Sequence, residues 1–163
     1  MPATAASTPK DIGRHELIIT RTFDAPRELV FRAWTQPEHI VRWLGPHKFT
    51  CISAKMDARP GGAYRAGIRG PDGKESWMRG SYREMVEPER LVFTFSWEKE
   101  GSWEKEGDRG HETEVSIVLS AVQGKTRMTF RQAFFETVEN RDAHNGGWTE
   151  SFERLAEFLA GER

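Results

Sequence analysis

The chain has 163 residues, enough for one domain with a real core, and carries 24 basic against 25 acidic residues. That balance excludes a global electrostatic pull toward nucleic acid or an anionic membrane. No apolar run approaches the roughly 20 residues that span a bilayer, and a single cysteine, Cys51, excludes an intrachain disulfide.

The first ten residues, MPATAASTPK, are small and polar and lack an apolar signal core. Residues 1–14 are read as a disordered tail, residues 15–163 as a single domain, and the cytoplasm as its location. Large rings are abundant, with six Trp and ten Phe beside two Tyr.

His15–Phe23 is β-rich and predicts the first strand. Asp24 is placed as the N-cap of a helix with Pro26 in its first turn, burying Leu29, Val30, Ala33 and Trp34. Gln36-Pro37 breaks that helix. A second short one runs from Pro37 to about Leu44 and stops at Gly45-Pro46. Phe49 to about Asp57 alternates as a strand with Ile52, Ala54 and Met56 inward, which turns Cys51 outward. Pro60-Gly61-Gly62 is a turn. Ala63–Arg69 is a strand with Tyr64, Ala66 and Ile68 on one face. After the Gly70-Pro71-Asp72-Gly73 turn, Glu75–Val86 sets Met78, Gly80 and Tyr82 against Arg79, Ser81 and Arg83.

Leu91–Trp97 alternates clearly, with Leu91, Phe93, Phe95 and Trp97 on one side. Residues 97–108 then hold a tandem repeat, WEKEGS followed by WEKEGD. Two hexads are too few for a solenoid, so the repeat is read as a lengthened hairpin loop, with Trp103 suited to a lid or a contact surface. Glu112–Val122 is a strand with Val115, Ile117 and Leu119 inward. Thr126–Phe135 is the last strand, with Met128, Phe130 and Phe134 inward. Glu136–Asn145 is polar and can begin the final helix. From Gly146 to Gly161, Trp148, Phe152, Leu155 and Leu159 recur at helical spacing and form one apolar stripe. Gly146-Gly147 is read as letting that helix approach the sheet closely.

The order is strand, two short helices, about six antiparallel strands and a long C-terminal helix. It predicts an α+β fold: a curved meander gripped on its concave face by that helix. The segments Ile19–Pro46, Pro60–Gly73, Gly80–Trp97 and Gly146–Ala160 resemble the START-like (birch-pollen-allergen-like, SRPBCC) superfamily. Within it the chain is most similar to the family named after the C-terminal domain of the activator of heat shock protein 90 ATPase. The resemblance covers nearly everything after residue 15, and the WEKEG duplication departs from it. It implies a helix-grip fold of six to seven strands with an internal cavity, and no single activity.

The aromatic stripe frames the functional expectation. A cavity between sheet and helix would be walled by Tyr64, Met78, Tyr82, Phe93, Phe95, Ile117, Met128, Phe130, Trp148, Phe152 and Leu155. Such walls suit a small hydrophobic, lipid-like or aromatic ligand. Three functions compete: a carrier of such a ligand, linked to stress; a cofactor-free cyclase or hydrolase; and a chaperone-interacting domain. Tyr64 and Tyr82 are the catalytic candidates, with Arg21 and Gln132 as further inward polar groups. No histidine or carboxylate joins them in the sequence pattern. The five histidines show no HxH or HxxxH spacing and Cys51 has no CxxC partner, so neither a metal nor a cofactor is expected. The chain is too short for the namesake's additional N-terminal domain, which weighs against chaperone activation by this chain alone. Trp77 and Val92, placed outward on the convex face, would support a homodimer.

Overall fold

A computed structural model describes residues 15–98 and 110–162. The expected tail at 1–14 and most of the duplicated loop, with Trp103, lie outside the described residues. In order the elements are β1 (Glu16–Phe23), α1 (Arg27–Thr35), α2 (Pro37–Trp43), β2 (Thr50–Met56), β3 (Ala63–Arg69), β4 (Glu75–Val86), β5 (Arg90–Trp97), β6 (Thr113–Val122), β7 (Lys125–Ala133) and α3 (Val138–Glu162). The strands form one seven-stranded antiparallel sheet in the order β1-β7-β6-β5-β4-β3-β2. Strands β2 to β7 make the expected meander, and β1 closes it by pairing with β7, Ile19 opposite Phe130.

The apolar residues of alternate strand positions meet on the concave face. Phe130 pairs with Ile117, Phe93 with Val115, and Ala66 with Met78, and all are buried. Helices α1 and α2 plug one end of this face. Trp34 lies at the centre of the plug, its ring 4.8 Å from Trp43, 5.9 Å from Trp148 and 6.0 Å from Phe152. Trp43 donates its indole N–H to the carbonyl of Ala33 at 3.0 Å, which ties the two helices together. Phe130, Phe152 and Leu155 complete a packed core there. Truncating one of its large rings to alanine would cost about 3–5 kcal/mol.

Several local expectations are corrected. Pro26, not Asp24, is the N-cap of α1. Cys51 is buried, not outward, because a bulge between Cys51 and Ser53 inserts one residue into β2 and reverses the alternation. Phe134 is exposed at 55%, not inward. Its φ of +73° takes the chain out of the β7 ladder after Ala133, and Phe135 is buried instead. Trp77 is half-buried with the Arg65 guanidinium 4.1 Å above its ring, and Val92 is buried, so neither stands open on the convex face. In agreement with the reading that the polar Glu136–Asn145 stretch can begin the final helix, that helix starts at Val138. Gly146 and Gly147 sit within it and make no close approach: an added Cβ at Gly146 would meet nothing within 4 Å, and at Gly147 only Pro46 at 3.7 Å. Close backbone approaches occur instead at Gly80 and Gly62, where a Cβ would fall 1.9 Å from the carbonyl oxygens of Thr94 and Asp57, respectively.

Candidate functional site

The concave face is filled at the α1–α2 end but not at the other. Between the first half of α3, the adjoining ends of β5 and β6, and the loop after α2 lies a pocket of about 460 Å³ that is open to solvent on one side. A smaller pocket of about 40 Å³ adjoins it toward Tyr64, Tyr82 and Phe93. Leu44, Met78, Phe95 and Trp148 line both.

One wall is the loop from Leu44 to Phe49, which α3 holds down. Gly45, at φ +116°, donates its N–H to Ser151 Oγ at 3.2 Å. Arg154 donates to the carbonyls of Gly45 and Pro46 at 2.9 and 3.2 Å. The backbone N–H of His47 reaches Glu150 Oε1 at 2.9 Å, and its ring Nε2 lies 2.8 Å from Glu153.

The opposite wall is aromatic and carries an ordered chain of hydrogen bonds. Trp97 donates its indole N–H to His144 Nε2 at 3.0 Å. An accepting Nε2 places the imidazole proton on Nδ1, which faces Gln132 Oε1 at 3.2 Å. Trp148 donates to the same oxygen at 2.8 Å. Gln132 Nε2 donates to Thr113 Oγ1 at 2.9 Å, and the Thr113 hydroxyl donates to the carbonyl of Phe95 at 3.1 Å. Burial holds the His144 pKa down at about 4, so near neutral pH it is the uncharged tautomer that this chain requires. Three rings enclose it at steep angles: Phe135 at 5.0 Å, Phe95 at 5.5 Å and Trp97 at 6.0 Å.

Of the eleven predicted wall residues, the structure brings six to the cavity system. Met78, Phe95 and Trp148 stand at the junction, while Tyr64, Tyr82 and Phe93 line the small pocket. Ile117, Met128, Phe130, Phe152 and Leu155 pack in the core instead. Arg21 sits half-buried on edge strand β1 with its guanidinium 5.6 Å from the Phe23 ring, outside both pockets. Gln132 is fully buried at the hub of the network. Tyr64 donates its hydroxyl to the carbonyl of Thr94 at 2.7 Å. Burial, with Tyr82 and Glu112 nearby, pushes its pKa well up, and burial does the same to Tyr82. Both are therefore protonated phenols rather than bases. Sequence reasoning missed His144, Trp97 and Phe135 as cavity residues. A signal existed for the first: His144 lies four residues before Trp148 and extends the helical stripe backward by one turn.

Among the described residues no three His, Cys, Asp or Glu side chains converge as a metal ion would require, and no helix is long and apolar enough to cross a membrane. The indole N–H of Trp34 is buried without a hydrogen-bond partner.

A curved antiparallel sheet gripped by one long C-terminal helix defines a START-like helix-grip protein. The chain belongs to the Activator of Hsp90 ATPase homolog 1-like family, whose model matches residues 24–160. Solved structures agree over nearly the whole length. A protein from Nitrosomonas europaea is 25% identical with a TM-score of 0.75, covering 91% of this chain and 96% of its own. One from Chromobacterium violaceum is 26% identical with a TM-score of 0.73, covering 89% and 96%. The AHSA1 protein of Silicibacter pomeroyi, at 22% identity and a TM-score of 0.79, covers 91% and 99% and shares the fold. No curated protein matches the chain.

Proposed function

We propose that this protein binds a small apolar or aromatic molecule in the cavity between the sheet and α3. The observation that supports this is the cavity itself. A pocket of about 460 Å³ lies beside the buried core, with Phe95, Trp97, Phe135 and Trp148 in its walls. Volumes of this order suit a drug-sized ligand, and covering apolar surface contributes about 25 cal/mol per Å². The family's fold commonly serves hydrophobic ligands, which agrees with this reading. Catalysis by Tyr64 and Tyr82 is less well supported. They line the small pocket, both are held protonated, and the Tyr64 hydroxyl is already engaged by Thr94.

The test uses Nile red, an uncharged apolar dye, with native mass spectrometry of the purified protein for a retained molecule. Binding should raise dye emission and shift the tryptophan emission of the protein. Ala143 is exposed on α3 and lines the cavity, so Ala143→Trp should fill the opening. It should weaken dye binding by at least about tenfold while leaving thermal stability nearly unchanged, as expected of an exposed position. No emission change with the wild-type protein, together with no retained molecule, would overturn the proposal.

A further inference from the structure

The walls of this cavity also bear on the charge of what enters it, an inference that rests on the ligand-binding reading above. Among the described residues that line it there is no lysine and no arginine. Glu136, exposed at the opening, is the lining carboxylate. His144 adds no positive charge near neutral pH, since its Nε2 accepts from Trp97 and burial keeps it unprotonated. Arg154, behind the Gly45 loop, donates to the carbonyls of Leu44, Gly45 and Pro46.

Hydrogen-bond donors in the cavity interior are equally scarce. Of the polar lining side chains, Ser76, His111 and Asn140 are exposed at its edge, where water solvates them, and His111 Nε2 faces the Phe134 carbonyl at 2.6 Å. The indole N–H groups of Trp97 and Trp148 go to His144 and Gln132. The His144 Nδ1–H faces Gln132, the Thr113 hydroxyl goes to Phe95, and the Ser151 hydroxyl goes to the carbonyl of Gly147. A carboxylate or phosphate brought inside would lose its water and find neither a cation nor an unengaged donor on these groups. Desolvating an unpaired charge is costly. Aromatic faces are electronegative, so they repel an anion and attract a cation. The sequence segment 99–109, outside the described residues, holds three basic and four acidic residues and brings no net positive charge.

We infer that the cavity selects its ligand by charge: it accepts uncharged or cationic apolar molecules and rejects anionic ones such as fatty or aromatic carboxylates. An amine on the ligand would sit toward Glu136 with its apolar body against the rings.

Three probes sharing one ring system test this: 1-naphthalenemethanol, 1-naphthylmethylamine and 1-naphthoate, each competing with Nile red near pH 7.5, where the amine is cationic and the acid ionised. The alcohol and the amine should displace the dye, and the carboxylate should need at least about tenfold higher concentration. Glu136→Lys, at an exposed position, should narrow the carboxylate's disadvantage by about threefold, the range of a solvent-exposed charge contact. A carboxylate that competes as well as the alcohol in the wild-type protein overturns the inference while leaving the ligand-binding reading intact. So does Nile red binding that none of the three displaces. An unchanged carboxylate ratio in Glu136→Lys overturns the part assigned to Glu136. Failure of Nile red itself to bind overturns the ligand-binding reading, and this inference with it.

Discussion

Gln132→Leu removes the hub of the hydrogen-bond chain and replaces it with a shorter apolar side chain of similar volume. In the wild-type protein Gln132 Oε1 accepts from Trp148 at 2.8 Å and faces the Nδ1–H of His144 at 3.2 Å. Leucine leaves both donors without an acceptor. Trp148 is 7% exposed, so its N–H has little access to water, and an orphaned buried donor costs about 1–3 kcal/mol. His144 borders the cavity, where water can replace its lost partner, so its share falls near the lower end of that range. Against these stands the desolvation of the glutamine amide itself, which leucine relieves by about 1 kcal/mol. The net expectation is a loss of about 2 kcal/mol, or roughly 6 °C in Tm for a domain of this size. Calorimetry or thermal circular dichroism measures it. Adding Trp148→Phe to Gln132→Leu removes the stranded donor together with its partner and should restore part of the loss. If Gln132→Leu melts at or above the wild-type temperature, the chain of hydrogen bonds does not help to hold the helix on the sheet, and the reasoning is wrong.

Three further outcomes follow from particular positions. Gly146 is exposed inside a helix and touches nothing, so Gly146→Ala should raise stability by about 0.5–1 kcal/mol, measured as a higher denaturant midpoint. Gly80→Ala should cost about 3 kcal/mol or more, because the new Cβ would fall 1.9 Å from the Thr94 oxygen and backbone has to move. His144 binds its proton near 6.5 when unfolded and near about 4 when folded, so the unfolded chain gains protons first as the pH falls. The stability tied to its neutrality is therefore full above about 6.5 and declines as the pH drops toward about 4. Melting temperatures across that interval should show the decline, and His144→Gln should flatten it.

The architecture was legible because its signals are local. Alternation in Leu91–Trp97 and the spacing of Trp148, Phe152, Leu155 and Leu159 depend only on neighbours along the chain, and both elements appear where those patterns put them. Two of the errors fell where one residue broke a local period. The bulge after Cys51 and the positive φ of Phe134 each reversed which side chains face inward, and neither leaves a mark in composition.

The sequence alone determined the α+β helix-grip architecture, because amphipathic periods dictate which faces must be buried and a long meander has few ways to bury them. It also placed the aromatic residues on those faces. Which of them became cavity wall and which became solid core was decided by tertiary structure. Trp34 and Trp43 fill one end of the concave face, so Phe130, Phe152 and Leu155 are packed, whereas Phe95 and Trp148 at the other end border open space. The hydrogen-bond chain joins Trp97, Thr113, Gln132, His144 and Trp148 from β5, β6, β7 and α3, and no spacing along the chain encodes such a meeting. Only the curvature of the sheet under the helix brings those polar groups within reach of one another, where burial makes each of them require a partner.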